Sequence, residues 1–163
     1  MNPTATLPHG PDRPPRPHAE PRSAYRLFSD IATRWLDNDV YGHVNNTVYF
    51  TWFDTAVNRY LIEAGALDIH HGPVIGFAVQ SHCDYFSPLA YPQPVEVGLR
   101  IGHLGASSVR YEAGIFAAGG ALAAAAGHLT HVYVERATQR PAALPAALRS
   151  ALERLRAEER KAP

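Results

Sequence analysis

The sequence lacks the features that mark a secreted, membrane-spanning or nucleic-acid-binding protein. Its 163 residues include one cysteine, Cys83, so no internal disulfide can form and a reducing compartment is expected. No apolar run reaches the roughly 18–20 residues of a membrane-spanning helix, and the N-terminus has no apolar signal-peptide core. The 15 basic and 15 acidic side chains cancel, which leaves no broad positive field for nucleic acid. The sequence therefore predicts a cytoplasmic protein with neither a membrane nor a nucleic-acid partner.

The composition is that of a folded chain with one proline-rich end. Hydrophobic residues make up 46% of the sequence, which is enough for the core of one domain of this length. Residues 1–22 contain seven of the 14 prolines and show no apolar periodicity. We therefore expect a disordered proline-rich tail over residues 1–22 and a single domain over residues 23–160.

Hydrophobic periodicity predicts strands on both sides of one long helix. The first strand is expected within residues 23–35, with Tyr25, Leu27, Ile31 and Trp35 on one face. A helix then follows, ended by Gly65. The remaining strands and a short C-terminal helix complete the predicted order, which by residue number is helix 46–64, strands 74–86, 95–103, 107–116 and 121–135, and helix 145–160.

The long helix is apolar around more than half of its circumference, so other structure must surround it. The short gaps between the later strands favour hairpins and hence antiparallel pairing. These features predict an α+β fold in which an antiparallel sheet of about five strands wraps around one long central helix.

The densest polar cluster lies in the loop just before this helix, with the sequence DNDVYGHVNN over residues 37–46. A helix N-terminus stabilises negative charge that develops on a substrate oxygen, and a nearby Asp can attack a carbonyl or activate water. The alternative is structural, with Asn45 or Asn46 only capping the helix. A calcium loop is excluded, because Tyr41 and Val48 stand where ligands are required.

The loop and helix together resemble the hotdog-fold acyl-CoA thioesterases of the 4-hydroxybenzoyl-CoA thioesterase type. The resemblance covers about residues 24–155 and also includes Ser107-Ser108 and the segment from His131 to Pro145. Its most specific part, with x for any residue, is RWxDxDxxGHVNNxxYxxWFD over residues 34–54. In the benzoyl-type enzymes, more apolar or aromatic residues stand at His43, Asn45 and Asn46, so the substrate class is better matched to the broader acyl-CoA branch.

The resemblance implies a role for each motif residue. Asp39 would be the catalytic carboxylate, as nucleophile or as general base, and the backbone N–H of Asn46 would polarise the thioester carbonyl. Gly42 would let the loop turn and approach the substrate, and the remaining loop and helix residues would orient the loop or substrate or line the pocket, namely His43, Asn45 and Tyr49.

Other reactive residues have weaker patterns. Some hotdog thioesterases place the catalytic acid on the central helix, which makes Asp54 and Glu63 alternatives, although Asp54 shares a polar stripe with Asn58. Cys83 alternates with apolar residues and is interpreted as a small core residue. The histidines lack the spacing of a metal site. His128 and His131 should point to opposite faces of a strand. His82 and Asp84 share a strand face, but two ligands make a weak metal site.

The resemblance implies an acyl-CoA or acyl carrier protein thioesterase that needs no metal or redox cofactor and forms a homodimer or homotetramer. Coenzyme A would enter as part of the substrate. A hotdog protein that binds acyl thioesters without cleaving them is the main alternative, as carrier or regulator. A hotdog dehydratase is a further one, but its His-containing motif is missing.

Overall fold

A computed structural model of the chain describes residues 17–66 and 68–156. Most of the predicted tail, residues 1–16, and the last part of the predicted C-terminal helix, residues 157–160, lie outside these described residues. The helices and strands follow in the predicted order, as β1 Leu27–Ile31, α1 Asn46–Glu63, β2 Val74–Tyr85, β3 Val95–Leu104, β4 Ser108–Ala117, β5 Ala125–Glu135 and α2 Ala146–Glu153.

The strands form one five-stranded sheet in the order β1-β3-β4-β5-β2, and each neighbouring pair is antiparallel. Consecutive hairpins join β3, β4 and β5, whereas β1 and β2 occupy the two edges. Since α1 connects β1 to β2, the chain crosses the full width of the sheet along this helix. The loop before α1 and the end of β2 therefore meet beside the helix N-terminus, where the hydroxyl of Tyr85 donates to the carbonyl oxygen of Asn46.

Helix α1 provides the centre of the core. It packs against β2, β3, β4 and β5. Its buried side chains occur at spacings of three and four residues and are mostly large, namely Tyr49, Trp52, Phe53, Ala56, Val57 and Leu61. The fold class predicted from periodicity, a sheet associated with one long apolar helix, is confirmed.

The first strand is shorter than predicted, and two of its four face assignments are wrong. Leu27 and Ile31 contact the main core, but Tyr25 packs with Phe28 and Phe116 in a separate cluster. A 3-10 turn over Arg22–Ala24 precedes the strand and interrupts the alternation that the sequence pattern suggests. Trp35 lies in a second 3-10 turn with 76% of its surface exposed.

The predicted boundary of the N-terminal tail lies too far along the chain. Both carboxylate oxygens of Glu20 accept hydrogen bonds from Arg100, and Arg22 forms a bidentate ion pair with Glu96. Residues before 23 thus pair with β3 through charges that composition alone does not reveal. The last strand begins at Ala125 rather than at 121, and α2 ends at Glu153, before the predicted end at residue 160.

Candidate active site

The loop before α1 is fixed by a buried carboxylate. The Asp37 side chain is inaccessible to solvent, and one of its oxygens accepts from the Arg34 backbone N–H at 2.7 Å. Its other oxygen accepts from Nε and Nη2 of Arg34 at 3.0 and 2.8 Å. The Asp37 carbonyl also accepts the backbone N–H of Asn45 at 2.8 Å, which links the start of the loop to the start of the helix. Asp37 therefore has a structural role.

Asp39 lies two residues further on, at the more exposed side of the same loop. Its Oδ1 accepts the backbone N–H of Tyr41 at 2.8 Å, while its own N–H donates to the carbonyl of His43 at 2.8 Å. Gly42 closes this turn with an N–H that donates to the Asp39 carbonyl at 3.1 Å and with a φ of +82°. A side chain at position 42 would be strained in that conformation, which explains the glycine.

Asn45, and not Asn46, caps the N-terminus of helix α1. The side chain of Asn45 accepts the backbone N–H of Thr47 at 3.0 Å, which is the structural role that the sequence offered for either asparagine. Asn46 is the first residue of α1. Its N–H lies at the positive end of the helix dipole, where an oxyanion would be stabilised.

Two cavities meet at Asn46. The larger has a volume of about 770 Å³ and is lined by Asp39 and Gly42 from the loop together with Asn45 and Asn46. Thus a carboxylate and the free end of a helix border the same space. This arrangement suits attack on a carbonyl group whose oxygen becomes negatively charged.

The second cavity, of about 320 Å³, is lined by His43, Asn46, Tyr49 and Tyr85 among others. The rings of Tyr49 and Tyr85 contact edge to face with centroids 5.0 Å apart. Burial raises the pKa of Tyr49 to about 12 and also raises that of Tyr85, so both phenols stay neutral near pH 7. The structure therefore divides the six predicted site residues between two adjoining cavities that share Asn46.

Sequence reasoning missed Tyr85. It occurs in an alternating strand pattern, where an aromatic residue is ordinary, and its partners Asn46 and Tyr49 lie far away in the sequence. The available signal was its position at the end of a strand and directly before the irregular segment Phe86-Ser87-Pro88, because functional residues often lie where a strand meets a loop.

The alternative acids on α1 lie elsewhere. Asp54 and Glu63 are both exposed, and neither borders the two cavities at Asn46. Asn58 does donate to Asp54, but to its backbone carbonyl at 2.9 Å, as Asn side chains on helices often do one turn on. Asp54 and Asn58 instead line a third cavity with His131.

The described histidines and the cysteine lie away from the two cavities at Asn46, apart from His43. His128 and His131 border cavities on opposite faces of the sheet. His82 Nε2 lies 3.0 Å from Asp84 Oδ2, yet within the described residues no group of three or more His, Cys, Asp or Glu side chains is arranged to hold a metal ion. Cys83 is half-buried, and burial raises its pKa to about 11, so it stays a thiol.

No described helix is long and apolar enough to cross a membrane.

Comparison with protein families settles the family of the chain. The model of the family described as "Thioesterase-like superfamily" matches residues 33–152. This range includes the loop, α1 and all strands after it. The chain belongs to the thioesterase-like superfamily. Membership in this superfamily supports thioester hydrolysis as the general activity. No functionally curated protein is significantly similar to the chain.

Solved structures support the same family and the hotdog fold. The PA5185 protein from Pseudomonas aeruginosa is 54% identical, with a TM-score of 0.84, over 86% of this chain and 99% of that one. The PA2801 protein from the same species is 31% identical, with a TM-score of 0.72, over 78% and 98%. Slr0204, a 1,4-dihydroxy-2-naphthoyl-CoA thioesterase from Synechocystis, shares the fold at 19% identity, with a TM-score of 0.71, over 83% and 98%.

Proposed function

We propose that this superfamily member hydrolyses an acyl-CoA, or the equivalent acyl carrier protein thioester, to a free acid and a thiol. The observation that carries the proposal is the cavity that Asp39 and the N-terminus of α1 share. A thioester placed there would have its carbonyl oxygen at the Asn46 N–H and its carbonyl carbon toward Asp39. No metal or redox cofactor is part of this mechanism.

The Asp39 carboxylate has one oxygen engaged and one available. Oδ1 accepts from Tyr41, which fixes the side chain, while Oδ2 has no hydrogen-bond partner among the described residues. As general base, Asp39 would take a proton from water, and the hydroxyl would attack the carbonyl carbon. As nucleophile, it would form an anhydride that water then cleaves. On either route the tetrahedral oxyanion is stabilised at Asn46, and the C–S bond breaks to release the thiolate, which is then protonated.

Tyr85 and Tyr49 support the helix end in this proposal. The Tyr85 hydroxyl donates to the carbonyl oxygen of Asn46 at 3.0 Å, so it fixes the peptide group that follows the polarising N–H. Tyr49 lies one turn later and packs against both Trp52 and Tyr85. We assign the two tyrosines to positioning and to the wall of the pocket, together with His43.

We also propose that the chain acts as a homo-oligomer. Among the residues that the structure describes, strand β2 pairs with β5 alone, which leaves one edge of this twelve-residue strand without a partner strand. Phe77, Val79 and Tyr85 are exposed along it, and an open apolar edge favours pairing with another strand. Val40 and Tyr41, beside Asp39, are 94% and 84% exposed. Two copies paired along β2 would be antiparallel and related by a two-fold axis. Such a pair can exist as a dimer or as half of a tetramer.

The test is thiol release from short, medium, long and aromatic acyl-CoAs by the protein and its Asp39→Asn variant. Asparagine keeps an oxygen for the Tyr41 N–H, so the loop should hold its shape while the charge and the nucleophile are lost. We expect a decrease in kcat of about a thousandfold or more. Equal rates in both proteins would refute the role of Asp39. Binding without thiol release from any substrate would identify a non-catalytic acyl-thioester-binding protein instead.

A further inference from the structure

A third cavity, of about 500 Å³, lies beside α1 at a distance from the loop. Helix α1 provides one wall with Asp54, Asn58 and Leu61, while the first half of β2 and the second half of β5 provide the other, with His131. Residues Asp68 and Ile69, after the helix, close one end. The alternative acid Asp54 borders this space, but Asp39 and Asn46 do not, and the proposed mechanism does not use it.

One ridge of α1 leads from the thioester site to this cavity. Asn46, Phe50, Asp54 and Asn58 follow each other at intervals of four residues and therefore form a row of neighbours that runs obliquely along the helix. With a rise of about 1.5 Å per residue, Asp54 lies roughly 12 Å along the axis from Asn46. The same strand borders both ends, since β2 contributes Tyr85 to the cavity at Asn46 and Ile75 to the distal cavity. The distal cavity is thus within reach of a long acyl group, whose extended chain can span this distance.

The polar groups of the distal cavity carry negative charge or none. Asp54 and Asp68 provide two carboxylates, and hydrogen bonds from the His70 and His71 backbone N–H groups lower the pKa of Asp68, so it is ionised near pH 7. Over the part of the chain that the structure describes, no lysine or arginine lines the cavity.

His131 is the buried polar group of this cavity. Its Nε2 has no hydrogen-bond partner in the described chain. Burial lowers the pKa of His131, against the opposite influence of Asp54, so the imidazole is neutral near pH 7. It does not offset the two carboxylates.

We propose that the distal cavity selects the far end of the acyl group by charge: it admits ends that are neutral or donate a hydrogen bond, such as a hydroxyl, and rejects ends that carry a carboxylate. Asp54 is the principal determinant, because Asp68 is already engaged by the backbone of its own loop. This inference rests on the proposed function, since the thioester end must be held at Asn46.

The test compares three substrates of equal length, hexadecanoyl-CoA, ω-hydroxyhexadecanoyl-CoA and the ω-carboxy analogue, by kcat/KM. For the wild type we expect the carboxylated substrate to be the poorest. Asp54→Asn removes one charge without changing the shape of the side chain, and should raise the ratio of carboxylated to methyl-ended turnover about tenfold or more. Asn58→Asp adds a charge at the same wall and should lower that ratio.

Glu63→Gln is the matched control, because it removes a carboxylate from the same helix outside the cavity. It should leave the ratio unchanged. A ratio that stays constant in both Asp54→Asn and Asn58→Asp overturns the proposal, as does a loss of all three activities in Asp54→Asn, which would place Asp54 in the chemistry. If the wild type releases no thiol, calorimetric Kd values for the same three compounds replace kcat/KM. Discrimination by charge in Kd would then support the cavity assignment although hydrolysis has failed, and its absence would overturn it.

Discussion

The two aspartates of the loop should separate stability from catalysis, and Asp37→Asn is the variant that tests this. Asp37 accepts three hydrogen bonds from Arg34 and is fully buried. An asparagine retains one oxygen as acceptor but presents an NH₂ group to donors at its other position. At least one charge-assisted hydrogen bond is lost as a result.

The expected cost follows from the surroundings of the pair. The Arg34 side chain is 66% exposed, so water solvates its guanidinium once the partner has changed, and no buried cation is left unpaired. The cost is then about 2 kcal/mol, within the range for a hydrogen bond to a charged group. For a domain of this size, that corresponds to a decrease in Tm of about 4–8 °C.

The assay combines calorimetric unfolding with thiol release for Asp37→Asn and Asp39→Asn. Asp39→Asn preserves the acceptor for Tyr41 on an accessible loop, so its Tm should change by no more than about 2 °C. Asp37→Asn should lose stability yet keep measurable turnover below its Tm. The reasoning is refuted if Asp37→Asn melts like the wild type, or if Asp39→Asn is the less stable of the two.

Three further predictions concern the core, the buried histidines and the open strand. The hydroxyls of Tyr111 and Tyr133 are buried and 2.7 Å apart, so changing either residue to Phe should cost about 1–2 kcal/mol in urea unfolding, while the double variant should cost less than the sum. Burial lowers the pKa of His128 and His131, so the unfolded chain binds protons more readily than the folded chain does. The free energy of unfolding should therefore decrease below about pH 6.5, and constant urea midpoints between pH 7.5 and 5.5 would contradict this. Phe77→Lys places a charge on the open edge of β2 and should reduce the mass measured by light scattering to that of one chain; an unchanged oligomer would mean that copies associate elsewhere.

The parts of the fold that the sequence predicted depend on local patterns. Helix α1 begins at the predicted residue because Asn45 caps it, and it ends before Gly65, whose φ is +64°. The hairpin between β3 and β4 was predicted from a short gap after strict alternation, and the observed pairing of Leu104 with Val109 closes it. In each case neighbours within a few residues decide the structure.

The parts that the sequence could not predict depend on distant partners. Trp35 is apolar and yet exposed, because the chain leaves the sheet at a 3-10 turn, where the indole meets the ring of Tyr91 edge to face. Tyr85 reaches Asn46 across 39 residues of sequence. Glu20 joins the fold through Arg100, which is 80 residues away. No pattern within one segment contains these contacts.

The loop shows what the motif alone does not reveal about the surroundings of its two aspartates. Asp37 and Asp39 are the same residue type at neighbouring positions, and only the folded loop places one inside and the other at a cavity. The loop is held by groups outside the proposed chemistry, namely Asp37 on Arg34 and the Asn38 side chain on the Tyr91 backbone N–H at 3.0 Å. Asp39 therefore needs only one of its oxygens to maintain its position. A carboxylate held by one oxygen keeps a defined position while its other oxygen remains available. An attacking or proton-accepting group needs both properties.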